Sequence, residues 1–300
     1  MFYILRGAGR GAPRALSSMT GGVMNTSKKG KLSKSERQEL ITSRLRNSPA
    51  LRVSELASEI KVSTETIRRD LAELEERGLI SRTYGGAARP MEPEPVYDER
   101  DRLFTREREG IATAICSEVK DGEVLIIGSG ATTGRIATRL AAVRRGLKIF
   151  TDSTAVAAAL SQNPTFRIRL LPGIYNGDEL CVCGPETVAA VCRIFANTAI
   201  LGASGFTGNG VSNADADIAE TYAAMASRAS RVVIAADHSK TARESVLTYC
   251  TWDQVSELVT DMAPSDPDIL AALKSHGVQL KVTSGHGGGI LEEGRLHLGF

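Results

Sequence analysis

Apolar positions in the first third of the chain recur at helical spacing in three short blocks. Leu40, Ile41 and Leu45 form the first, Leu56, Ala57 and Ile60 the second, and Ile67, Leu71 and Leu74 the third. Steps of three or four residues return a side chain to the same helix face, so each block predicts a helix with one buried stripe. Helix-start signals stand at Ser33 and Ser35, and Ser35-Glu36-Arg37-Gln38 has the capping-box spacing, in which side chains satisfy free helix-end amides. Asn47-Ser48-Pro49 stops this helix, and the second fits Ser54 to Ile60. Only Lys61-Val62 separates it from the next N-cap, Ser63. Val62 and Ile67 flank that cap as a hydrophobic staple, and Gly78 stands where a left-handed residue ends the third helix.

On the third helix Glu65, Thr66, Arg69 and Ala72 point away from the buried stripe, and Arg68 lies on its flank. Leu79 to Ala87 then alternates and closes on Gly85-Gly86, a short β-ribbon and turn carrying Arg82, with Arg89 just beyond. Two helices joined tightly, the second presenting polar and basic residues at its N-terminal end, followed by a ribbon, predict a winged helix-turn-helix.

Beyond about Ile111 the pattern changes to short apolar runs alternating with helical stretches. Strands are expected at Glu123–Ile127, Leu147–Phe150, Phe166–Leu171, Ala199–Leu201, Val232–Ala235 and Leu258–Thr260. Helices are expected from Arg135 to Ala142, and near Thr154–Leu160, Pro185–Phe195, Asp217–Arg228 and Asp266–Ser275. This rhythm predicts a mostly parallel sheet covered by helices. The fold class is therefore α/β, with a small N-terminal winged helix-turn-helix domain (35–89), a linker (90–110) and a larger, mostly parallel α/β domain (111–285). Pro90 to Pro95 reads as a stiff proline-acid linker, the charged run through Arg108 as the start of a connecting helix, and residues 286–300 as a flexible tail.

Charge sharpens the division. The net charge is +2, but residues 1–89 carry 17 Lys and Arg against 9 Asp and Glu, whereas residues 90–300 carry 20 against 26. A basic front on an acidic body points to a polyanion meeting the front alone, with nucleic acid the leading candidate. Residues 1–34 hold seven basic and no acidic residues. A disordered arm, a targeting peptide and an upstream start with Met24 as the true one remain open for this segment, with disorder without function the default. No run reaches the roughly 18–20 consecutive apolar residues of a membrane span. The five cysteines read as reduced thiols of a cytoplasmic protein, and Cys181-Val-Cys183 lacks the companion cluster a metal site needs, so neither metal nor cofactor is expected.

In parallel α/β sheets ligands bind beyond the carboxyl ends of the strands. Ser129-Gly130-Ala131-Thr132-Thr133 follows one such end just before a helix, where small residues, hydroxyls and a helix N-terminus suit a phosphate. It lacks the Gly-Lys-Ser/Thr of a nucleotide loop, which disfavours ATP. Asp152, Gly202 and the Asp237–Lys240 run follow other strand ends, with Lys240 a point charge for an anion. Glu220 reads either as a ligand contact or as a carboxylate favourable to its helix dipole.

These residues bring out a family resemblance. Val53-Ser54-Glu55-Leu56-Ala57, Val62-Ser63, Thr66-Ile67-Arg68-Arg69-Asp70-Leu71, Leu74-Glu75, Gly78 and Tyr84-Gly85-Gly86-Ala87 resemble the DeoR family of bacterial transcription regulators. The larger half resembles that family's sugar-phosphate-sensing domain, related to ribose-5-phosphate isomerase, through Ser129–Thr133, Leu170-Leu171-Pro172-Gly173, Gly184, Gly202, Asp237–Lys240 and Val259-Thr260-Asp261. The likeness spans about residues 35–285. Tyr84 stands where the family usually has histidine, Gly128 where aspartate is common, Ala131 where threonine is, Asp152 where asparagine is, and Pro172 where glycine is.

The resemblance implies a metabolite-responsive DNA-binding regulator, a repressor of a carbohydrate operon, partnered by double-stranded operator DNA, a phosphorylated sugar and further copies of itself. The expected DNA face is Ser63, Thr64, Glu65, Thr66, Arg68 and Arg69, with Arg82, Tyr84 and Arg89 of the wing. The expected effector face is Ser129 to Thr133, Asp152, Gly173, Gly202, Glu220, Asp237 and Lys240. Two other readings compete. One is a sugar-phosphate isomerase carrying a DNA-binding appendage, with Glu220 and Lys240 as acid–base groups. The other is a protein-interaction module whose front domain is a docking helix bundle.

Overall fold

Ser33, not Ser35, opens the first helix in the computed structural model, which describes residues 32–47, 50–88, 94–283 and 290–291. The Ser33 amide donates to Glu36 Oε2 at 2.7 Å and the Glu36 amide to Ser33 Oγ at 3.3 Å. The box is therefore Ser33-x-x-Glu36, two residues earlier than Ser35–Gln38, because a carboxylate at that position accepts more strongly than an amide side chain. The chain divides into two compact units, Met1–Pro90 and Met91–Phe300.

The front unit contains α1 (Lys34–Asn47), β1 (Ala50–Arg52), α2 (Val53–Ile60), α3 (Thr64–Glu76), β2 (Ser81–Thr83) and β3 (Gly86–Ala88). Its core is the expected stripes, with Ile41, Leu45, Leu56, Ile67, Leu71 and Leu74 all buried. Ser63 caps α3 by accepting from the Thr66 amide at 3.1 Å. At the other end Gly78 takes φ +68°, the Leu79 amide donates to Leu74 O, and the Gly78 amide to Glu75 O. These two bonds make a Schellman cap, which a left-handed glycine permits. Buried Asp70 accepts two hydrogen bonds from the Arg37 guanidinium, at 2.8 and 3.1 Å, and so ties α3 to α1. The wing is a three-stranded antiparallel sheet in the order β1-β3-β2, in which β1 was not anticipated.

The second unit begins with α4 (Tyr97–Asp101) and α5 (Thr105–Glu118). It continues through β4 (Val124–Ile127), α6 (Ala131–Val143), β5 (Lys148–Thr151), α7 (Thr154–Leu160), β6 (Arg167–Leu170), β7 (Ile174–Asn176), β8 (Cys181–Cys183), α8 (Pro185–Val191) and β9 (Ala196–Leu201). Then follow β10 (Gly205–Thr207), β11 (Gly210–Asn213), α9 (Ala216–Ser227), β12 (Ala229–Ala235), a 3-10 turn (His238–Lys240), β13 (Leu247–Cys250), a second 3-10 turn (Trp252–Gln254), β14 (Glu257–Thr260), α10 (Pro267–Ser275), β15 (Gln279–Thr283) and β16 (Ile290–Leu291).

The main sheet runs β16-β15-β14-β12-β9-β4-β5-β6, parallel throughout except for β16. Its central strands are apolar on both faces, as covered parallel strands must be. Leu125, Ile127, Ile200 and Val233 face one core with Ile111, Ile136 and Val156 of the helices, whereas Ile126, Leu201 and Ile234 face another with Ile218, Met225 and Leu273. Two small antiparallel sheets, β10-β11-β13 and β7-β8, complete the unit.

Four expectations change. The loop after β4 is shorter, because α6 begins at Ala131 rather than Arg135. Glu94 and Pro95 belong to the sensor body and not to a free linker, since Glu94 pairs with buried Lys240 and Pro95 accepts from Arg100. The charged run does open a helix, as α4 and the start of α5, but Arg100 and Arg108 are buried within this unit rather than on a free connector. The expected tail contributes β16 to the sheet edge. Arg89, residues 90–93 of the linker, residues 1–31 and the rest of the tail lie outside the described residues. No helix among the described residues is long and apolar enough to cross a membrane.

Candidate DNA interface and effector site

The front unit places Ser63, Thr64, Glu65, Arg68 and Arg69 on the exposed side of the first two turns of α3, with Thr66 half-buried beside the cap. Glu65 holds both arginines loosely, at 3.9 Å from Arg68 and 3.4 Å from Arg69. Such exposed pairs are worth about 0–1 kcal/mol, so Glu65 constrains the two arginines only weakly. On the wing Arg82 lies 3.7 Å from Glu75, and Tyr84 projects fully into solvent at the turn before Gly85. Ser63 itself is occupied as the cap.

The effector cavity opens where the strand order reverses. From β4 the chain builds outward through β5 to β6, then returns to pair β9 with the other side of β4 and builds outward again through β12 and β14. The topological switch point thus lies between the ends of β4 and β9, occupied by Ser129 and Gly202. Two tyrosines tie these loops from below. Tyr222 Oη donates to Ser129 O at 2.5 Å, Tyr249 Oη donates to Gly202 O at 2.5 Å, and the two rings meet edge to face. Gly130 takes φ +126°, and the amides of Ala131, Thr132 and Thr133 form the first turn of α6, before any residue has an i−4 acceptor within the helix. That turn carries no acidic side chain. It is a helix N-terminus open to an anion.

Ser129, Gly130, Ala131, Thr132, Thr133, Gly202 and Lys240 all line this cavity. Four other expected residues do not. Asp237 is buried and turned inward, where it accepts from the Arg108 guanidinium at 3.1 Å. Gly173 is a packing glycine: a Cβ there would sit 2.0 Å from Thr187 Oγ1. Glu220 is exposed on the second turn of α9, whose first-turn acid is Asp217, so both of its proposed roles fall away, as does its pairing with Lys240. Asp152 is fully buried among Ser129, Cys181 and Tyr222, and neither of its oxygens has a hydrogen-bond partner among the described residues.

Several cavity residues are not singled out in the sequence reading: Glu94, Arg100, Arg108, Glu179, Asn213, Asp215 and Tyr222. Arg100 makes two hydrogen bonds to Glu179, at 2.6 and 2.5 Å, and Lys240 Nζ lies 2.5 Å from Glu94 Oε1. A buried arginine in a charged run was the available signal. All five cysteines are unpaired, and four are buried.

Two family models match the chain: a DeoR-like helix-turn-helix domain over residues 37–92 and a DeoR C-terminal sensor domain over residues 104–262. The HTH-type transcriptional repressor CsqR of Escherichia coli is 30% identical over 227 residues, covering 75% of this chain and 85% of that protein. The glycerol-3-phosphate regulon repressor of Escherichia coli is 31% identical over 230 residues, covering 76% and 90%. Among solved structures, a D-ribose-5-phosphate isomerase in complex with phospho-erythronic acid aligns at 13% identity and a TM-score of 0.34, covering 45% of this chain and 52% of that one. That likeness is too low to carry an argument about the site.

Proposed function

The chain belongs to the DeoR family and is a DNA-binding transcription regulator, and from that premise we propose that it is a repressor of a carbohydrate-related operon, released by a phosphorylated sugar or related metabolite. The observation that carries the effector class is the open first turn of α6 at the switch point, with Ser129 and Lys240 on the same cavity. An open helix N-terminus, a hydroxyl and a lysine complement a phosphate dianion. The relative named for a glycerol-3-phosphate regulon supports the same class. Thr64, Glu65, Thr66, Arg68 and Arg69 enter the major groove of operator DNA, arginine reading guanine, while Arg82, Tyr84 and Arg89 steady the wing on the backbone. The regulator works in the cytoplasm as a homo-oligomer on paired half-sites.

Two substitutions test the division of labour. Arg69→Ala should weaken operator binding by about 1–3 kcal/mol and leave thermal stabilisation by sugar phosphates unchanged. Lys240→Ala should abolish that stabilisation and with it any response of operator binding to added sugar phosphate. If Arg69→Ala loses that stabilisation or Lys240→Ala keeps it, the assignment is wrong.

A further inference from the structure

The three cations around the effector cavity are not held alike. Arg100 is fixed by Glu179 of the β7–β8 turn, and Arg108 by Asp237 at the end of β12, each through two guanidinium nitrogens onto a carboxylate of the folded body. Lys240 instead pairs with Glu94, 146 positions earlier in the chain, at 2.5 Å. Glu94 belongs to no helix or strand. It stands in the extended stretch before α4, a few residues after the last wing strand. Both side chains are buried, 9% and 8% exposed, and Arg100 Nε adds a longer contact to the same carboxylate oxygen at 3.9 Å.

We infer that Glu94 is a tethered occupant of the effector's anion subsite, displaced when an anionic effector takes Lys240, so that binding releases the chain segment leading to the DNA-binding unit. This rests on reading the cavity as the effector site. The chemistry of exchange is matched. A carboxylate and a phosphate both accept from an ammonium group, but a phosphate carries more charge and also reaches Ser129 and the first-turn amides of α6, which border the same cavity. A buried ion pair contributes little net stability, because desolvation offsets attraction, so replacing one anion by another costs the fold little. Burial alone would raise the Glu94 carboxyl, yet Lys240 and Arg100 together outweigh it and hold the group below the usual carboxylate range. The occupant is therefore charged. Its release loosens α4, whose first turn is held by the Tyr97 amide donating to Asp178 O and the Arg100 amide donating to Val96 O.

Inorganic phosphate is the probe, titrated calorimetrically into the full chain with ionic strength held constant by chloride. Glu94→Gln should bind phosphate at least about tenfold more tightly than the unaltered protein, since the competitor has lost its charge. Lys240→Met should lose phosphate binding. Hydrogen exchange supplies a measurement on the unaltered chain: phosphate should speed exchange at the Tyr97 and Arg100 amides. If Glu94→Gln binds phosphate no better, or phosphate slows exchange there, while Lys240→Met still costs affinity, the displacement idea is overturned and the effector site stands. If phosphate binding is absent or indifferent to both Lys240→Met and Ser129→Ala, the effector-site reading fails and takes this inference with it.

Discussion

Asp152 pairs full burial with two carboxylate oxygens that lack partners among the described residues, and burial pushes its carboxyl up to about 7. An ordinary unfolded aspartate titrates near 3.9. The folded carboxyl therefore holds its proton more tightly than the unfolded one. Its contribution to stability is full below about pH 4 and is lost as pH rises through about 7. Asp152→Asn removes this loss. The variant should match the unaltered protein in thermal melts at pH 4 and exceed it at pH 8 by up to roughly 4 kcal/mol. Equal melting at pH 8 would contradict the assignment. The sequence showed that Asp152 follows a strand end, but not that Tyr222, 70 positions later, closes over it. The same ring explains Gly128: a Cβ there would lie 2.8 Å from Tyr222 Cζ. Glycine at 128 and tyrosine at 222 are thus one packing decision, and no local pattern reveals such pairs.

At the scale of elements, α3 was the most legible part of the chain. Ser63, Ile67, Leu71, Leu74 and Gly78 are each diagnostic within a few residues of one another, and each does what its position predicts. The strand Ala50–Arg52 was not legible, because three residues are too few to establish a period of two. Its pairing nevertheless constrains the wing closely. A Cβ on Gly86 would sit 2.0 Å from the Leu51 carbonyl oxygen, so the strands approach through the absence of a side chain. Gly86→Ala should cost more than about 2 kcal/mol in the front unit and weaken duplex binding, with sugar-phosphate stabilisation of the sensor retained. Far-UV melting alongside a duplex titration checks both halves. The loop Ser129–Thr133 does lie at a strand end and on a cavity, as its sequence suggests. Its counter-charges were not legible, because Glu94 with Lys240, Arg100 with Glu179 and Arg108 with Asp237 join residues 146, 79 and 129 positions apart.

Over the whole molecule, the split of charge is the feature that sequence alone reads best. The segment 1–89 has 17 basic residues against 9 acidic, and the remainder is acidic. Duplex affinity should fall roughly tenfold or more between 50 and 200 mM salt, and Arg69→Ala should flatten the log–log slope by about one if that side chain releases a counterion. A salt-independent affinity would favour an apolar docking surface instead. The reversal of strand order between β4 and β9 has a further consequence, for the order of events during synthesis. Gly202 pairs its neighbourhood with that of Ser129 only after some seventy more residues have been made, whereas every described element of the front unit precedes residue 90. Domains fold as units, the N-terminal one first, as the chain leaves the ribosome. A nascent chain is therefore equipped to grip DNA before it has a cavity in which to receive the signal to let go.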